Sequence, residues 1–202
     1  MERPGDIPGR LAPAFAASLL ITGLCALLGL LYELGVVGWP RFSLDAEYTP
    51  ASIWSALLLV IAAIAAARAS RTRDGVARGS LAALFTFMAC DEAFGIHEWL
   101  EQATGVDWQV LFAPIVVLAG VAFVVVLRGI VRRDVWWALV GGAGVWTVAQ
   151  LFEKLEWHGA IEQSHYRALM LSEETLEMLG STLFAAAFAV LAVSAVAAVQ
   201  RH

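Results

Sequence analysis

Five side chains that could hold a metal ion or move a proton crowd the stretch FMACDEAFGIHEWLEQ, Phe87 to Gln102: Asp91, Glu92, His97, Glu98 and Glu101. Carboxylate oxygens suit hard divalent cations, and an imidazole nitrogen extends the ligand set to zinc or iron. The same combination serves general acid and base chemistry. The stretch continues an apolar run that starts near Ser80, so its charges need a physical reason.

The surrounding chain sharpens that need. It has 202 residues, 60% apolar and only 15% charged, with a mean hydropathy of +0.73. A soluble domain of this size could not keep so much apolar surface from water, so the composition is that of an integral membrane protein. Six segments are long enough to cross a hydrocarbon core, which takes about 20 apolar residues per helix. They run over residues 11–38, 51–68, 79–101, 108–128, 135–158 and 172–200. Long Ala- and Leu-rich runs without period-2 alternation exclude a membrane barrel. The expectation is a single all-α domain, residues 1–202, folded as a bundle of six transmembrane helices.

Orientation follows from the basic residues. Ten of the 13 fall before the first segment, between the second and third, between the fourth and fifth, or after the sixth. Arg41, Lys154 and Arg167 fall opposite. The positive-inside rule then puts both termini in the cytoplasm of a bacterial inner membrane. Only Glu2, Asp6, Asp74 and Asp134 of the 18 acids share the cytoplasmic side, which leaves fourteen towards the outer face. That rule is carried by Lys and Arg and hardly by Asp and Glu, so the acidic outer side has another cause.

A rise of 1.5 Å per residue puts Asp91 roughly 18 Å and Glu98 about 28 Å from the cytoplasmic edge, with Glu153 at about 27 Å. Glu177 lies about 8 Å inward from Ser172, and Glu33 nears the outer end of the first helix. In a continuous third helix Asp91, Gly95, Glu98 and Gln102 share a stripe, His97 and Glu101 lie about 100° away, and Glu92 takes the opposite flank. An isolated carboxylate at the depth of Asp91 costs at least ~2.5 kcal/mol, so these groups need protons, Lys154 or a bound cation. A divalent metal satisfies most of them at once, with Asp91, His97, Glu98, Glu153 and Glu177 as the leading ligands and Glu33, Glu92, Glu156 and Glu174 as a secondary set. Zinc and iron both fit the donor set. The plain alternatives are carboxyls hydrogen-bonded between helices, and Glu173 and Glu174 as first-turn acids opening the sixth helix after Ser172.

RFSLDAEYTPASIWSALLLVIAAI, CDEAFGIHEWLE and EETLEMLGS together resemble a widespread group of uncharacterised bacterial multi-pass membrane proteins with F-x-LD-x-E, DE-x5-HE and E-x-LE-x-G motifs. The resemblance implies a multi-pass helical fold and no particular activity. In its chemistry the chain is also similar to transmembrane hydrolases of the alkaline ceramidase type, which hold zinc with Asp and His on membrane helices. His97, His158, His165 and His202 include no H-x3-H pair, so the similarity stops at the chemistry.

The sharpest functional expectation is a metal site near the outer face that hydrolyses or oxidises a lipid-like substrate. Two rivals are a non-enzymatic subunit whose acidic edge meets a membrane-protein partner, and a proton or cation relay. The chain offers no basic stripe or phosphate loop for nucleic acid. Cys25 and Cys90 sit apart in apolar runs and read as inert thiols.

Overall fold

The computed structural model describes residues 7–46, 48–71, 74–157 and 163–199, and the side chains of residues 7–11, 156, 157, 163, 164 and 197–199 lie outside that description. Among the described residues there are seven α-helices, one 3-10 turn and no strand: α1 Ile7–Glu33, the turn Pro40–Phe42, α2 Pro50–Ala69, α3 Gly75–Phe94, α4 Ile96–Thr104, α5 Trp108–Arg128, α6 Arg133–Trp157 and α7 Gln163–Val199. Five of them, α1, α2, α5, α6 and α7, are long and apolar enough to cross a membrane, and α3 with α4 supplies a sixth span if the bent pair crosses as one.

Local sequence chooses several boundaries. Thr49 and Ser52 form a reciprocal capping box with Pro50 in the first turn, as the Thr49–Pro50 pair leads one to expect. Asp107 caps α5 by accepting a hydrogen bond from the Gln109 N–H at 2.8 Å.

Two elements differ from the sequence expectation. The third segment, expected as one helix over 79–101, is broken at Gly95, where the chain turns through 75°. Gly95 has φ +56°, a left-handed conformation that side chains with a Cβ resist, and it both ends α3 and begins α4. The sixth helix does not open at Ser172. α7 starts nine residues earlier, at Gln163, and the Ser172 hydroxyl donates to the Ala168 carbonyl within it at 2.7 Å. Glu173 and Glu174 therefore lie well inside a helix and cannot be acids of its first turn. At 37 residues α7 is roughly 55 Å long, well beyond a hydrocarbon core of about 30 Å. Its extra turns reach the segment between α1 and α2, where Tyr166 donates to Asp45 at 3.4 Å and Arg167 pairs with Glu33 at 3.5 Å.

α7 is the hub of the bundle, with α1, α2 and α6 packed on it, α3 on α2, and α5 on α3 and α4. The core joins Leu58, Leu59, Ala62 and Ala66 of α2 to Leu81 and Phe85 of α3, Leu139 of α6, and Phe184 and Phe188 of α7. The Phe85 ring lies 5.2 Å from that of Phe184 and 5.4 Å from that of Phe188. One polar knot ties three helices inside this apolar packing: Thr22 of α1 meets Thr182 of α7 at 3.2 Å and accepts from the Trp54 indole of α2 at 3.0 Å.

Small residues set the closest crossing. With lipid on the outside, helices associate by close packing instead of by release of water, and glycine lets two backbones approach. Gly142 of α6 faces Gly180 of α7, and the Trp146 side chain covers Gly180. A Cβ on Gly180 would lie 3.1 Å from the Gly142 carbonyl oxygen and collide with the Trp146 ring. Gly180→Ala should therefore destabilise the bundle by about 1–3 kcal/mol. Thermal unfolding in detergent should show a lowered midpoint, and an unchanged midpoint would mean the crossing yields without cost.

Candidate functional site

The break at Gly95 builds the site. Ending α3 in an apolar setting strands backbone N–H groups at the start of α4, and such groups need acceptors. Asp91, four residues before the break, supplies them. Its Oδ1 accepts the His97 N–H at 2.8 Å, and its Oδ2 lies 3.0 Å from His97 Nδ1. The two side chains are 17% and 28% exposed, and the His97 ring lies 5.5 Å from the Trp108 ring. In a continuous helix His97 would sit on a different stripe from Asp91. The 75° bend brings it back.

α4 is then joined to α5 by a second carboxylate, since Glu101 accepts the Trp108 N–H at 2.9 Å. The first turn of α5 is tied across to α6 by three polar contacts. The Trp108 indole donates to Glu153, the Gln109 amide donates to the Gln150 carbonyl at 2.9 Å, and Lys154 pairs with Asp107. Gln150 in turn donates to Glu177 of α7 at 2.9 Å.

Beneath this roof lies a cavity of about 370 Å³ between α3, α5, α6 and α7, within the size range of ligand pockets. Its two ends differ in chemistry. At the α4 end it is lined by Asp45, Asp91, Glu92, Glu98, Glu153, Glu173, Glu174 and Glu177, with His97 and Gln150. No Lys or Arg is among the lining residues. The opposite end is apolar and aromatic, walled by Leu81, Phe85, Phe123 and Phe184. Along α3 the ten residues from Asp91 to Leu81 span about 15 Å, which sets the depth of the apolar shaft.

The nine residues expected at a metal site separate cleanly. Asp91, His97, Glu98, Glu153, Glu177, Glu92 and Glu174 all line this one cavity. Glu33 does not, being engaged by Arg167. The Glu156 side chain lies outside the described residues. Glu92, which a continuous helix places on the far flank, instead meets Glu177: their carboxyl groups are within hydrogen-bonding range, and Glu173 and Glu174 lie near enough for their charges to act on Glu177. Glu98 and Glu153 stand in the same relation to His97. No group of three or more His, Cys, Asp or Glu side chains among the described residues converges closely enough to hold a metal as placed.

Both oxygens of Asp91 serve His97, so Asp91 orients the imidazole and is not itself turned to the cavity as a ligand. That leaves Nε2 as the ring nitrogen offered to a metal or a proton, the usual partnership of a carboxylate behind a working histidine.

Comparison with known families fits this architecture without adding an activity. The sequence profile of a domain of unknown function, DUF8692, matches residues 12–192. The chain belongs to that family. No curated protein matches it, and no solved structure does. Residues 12–192 take in the α3–α4 break, the α5–α6 ties and the whole carboxylate cluster, so the site lies inside the family domain.

Trp108 and Asp107 are the contributors that residue patterns miss. Trp108 reads as one more aromatic of the membrane interface, and a capping Asp at a helix start is common. Their only signal is the run VDWQ at the head of an otherwise apolar helix. Asp91→Ala should loosen the α3–α4 junction by about 0.5–2 kcal/mol, the cost of removing a capping side chain. Amide hydrogen exchange at residues 97–100 should speed up accordingly. Unchanged protection there would show that Asp91 does not hold the bend.

Proposed function

We propose that this protein takes a divalent metal ion, zinc or iron, into the carboxylate and histidine end of the cavity and uses it to hydrolyse or oxidise a lipid-like substrate lying in the apolar shaft. The observation that carries the reading is the polarity of the cavity. One end gathers eight carboxylates and an imidazole without a lining Lys or Arg, and the other is aromatic and aliphatic. Like charges held this close need a cation or protons between them, and a divalent ion serves the most oxygens. Glu92 and Glu177 are the natural first pair, with His97 Nε2 as the nitrogen donor. Glu98, Glu174 and Glu153 are close enough to complete the set by rotating their side chains. A metal with one position left open can activate water beside the head of a bound lipid.

The arginine distribution puts this end of the bundle on the outer side of a bacterial cytoplasmic membrane, and we take the chain as a single domain. Two other roles fit the geometry less well. An interface for a partner subunit calls for carboxylates directed out of the bundle, whereas these line a cavity. A proton relay calls for polar groups continuing through the membrane, whereas the shaft ends on Phe85, Phe123 and Phe184.

Elemental mass spectrometry of protein purified in detergent without chelator should find stoichiometric zinc or iron. Glu177→Gln should lose it. Asp91→Asn should bind the metal about 10–100-fold more weakly, as expected when the group orienting a ligand is removed. Wild-type protein without stoichiometric metal would sink this reading.

A further inference from the structure

The cavity has walls of unequal quality. α3 and α7 form a packed back wall, but α5 and α6, although joined by a turn of only four residues, do not pack on each other along their length. Between them runs a slot. At the α4 end it is closed by the ties of Trp108 to Glu153, Gln109 to Gln150 and Asp107 to Lys154. At the far end the 129–132 turn closes it.

Residues on both sides of the slot line the cavity and are also exposed on the outside of the bundle. Ile115 is 44% and Val116 57% exposed, and Thr147 is exposed on the α6 side. Gly120 sharpens the point. It sits in the middle of α5, where glycine costs helix stability, yet a Cβ there would meet nothing within 4 Å. No helix contact requires the glycine. It leaves the slot wide.

We infer that a single-chain amphiphile reaches the cavity sideways from the bilayer through the slot between α5 and α6, its chain lying against Phe123 and Phe184 and its head under the carboxylates. Three observations fix this occupant. The slot opens on the faces of two membrane-crossing helices, where the surrounding medium is lipid. The cavity is polar at one end only, which sets the direction of an amphiphile. Its volume of about 370 Å³ is near the lower end for ligand pockets and suits one chain better than two. The inference rests on the reading that a lipid-like molecule occupies the cavity, and does not depend on a metal.

The test uses the full chain in lipid vesicles with two photo-crosslinking probes: a monoacylglycerol with a diazirine at the end of its chain, and a phosphatidylcholine with the same group in one of two chains. Phe85 and Phe184 line the cavity but are only 2% and 6% exposed, so lipid outside the bundle cannot reach them. The monoacylglycerol should label the peptides that carry them, and the two-chain lipid should label only the outer faces of the helices. Gly120→Trp and Thr147→Trp, which fill the slot from opposite walls, should cut the inner labelling by at least about tenfold, a loss of roughly 1.4 kcal/mol in binding. Val117→Trp, on the lipid-facing side of α5 and outside the cavity, should leave it unchanged. Inner labelling that is absent, that persists in both slot variants, or that the two-chain lipid produces equally would overturn the inference. Metal content of the same samples separates the two proposals. Labelling without metal sinks the metal reading alone, and metal without labelling sinks this one alone.

Discussion

Asp91 and His97 are six residues apart and would not meet on a straight helix. Their contact exists because the chain leaves the helix at Gly95, and the chain can leave the helix there because Asp91 accepts the amide that the break exposes. In a medium without water an unsatisfied N–H costs several kcal/mol, so a helix break needs its acceptor close by. The second oxygen of the same carboxylate then holds the imidazole. One side chain thus answers the backbone and sets the histidine, and the direction of α4 follows. From α4 the sequence of contacts continues through Glu101 to the first turn of α5, and from there to α6. The position of α5, and with it the volume of the cavity, depends on that chain of polar contacts.

The opposite wall obeys a different rule. α7 is held to α6 and α2 by close approach, with glycines at 142 and 180 and a run of alanines in α2 giving the backbones room to meet. α5 has no such partner surface, being rich in valine and leucine that face outward. A bundle packed tightly on one side and tied by side chains on the other leaves space between the two halves. The cavity is a consequence of this asymmetry.

The spans, their apolar character and the Thr49–Pro50 start of α2 are legible in the sequence because each rests on a local, strongly patterned signal. The gathering of carboxylates at one level is legible too, through charge counts and helical rise. The facing of the third segment is not. GIHEWLEQ is as good a continuation of a helix as it is a new one, and only the left-handed Gly95 distinguishes them. The error propagates, since a straight helix sends Glu92 away from Glu177 and separates His97 from Asp91. The Ser172–Glu173–Glu174 run misleads for the opposite reason: it has the composition of a helix start, yet α7 passes through it because the preceding nine residues are also helix formers. Glu33 fails on a third ground. Its depth is right, but Arg167 on an extension of α7 that the pattern does not announce is closer to it than the cavity is.

These corrections change what the acids mean. Asp91, Glu101, Asp107 and Glu33 have bonds within the chain that account for their presence: a helix break, a helix start, a tie to Lys154 and an ion pair. Glu92 and Glu177 are different, because what each meets is the other, with Glu173 and Glu174 adding charge of the same sign. A fold that only needed to survive in lipid could replace such a pair with apolar side chains at no loss, since buried charge is weak support for stability. Acids placed against acids are an arrangement that gains stability only from a positive charge brought between them. The shaft of aromatic and aliphatic side chains directly below gives that charge something to act upon.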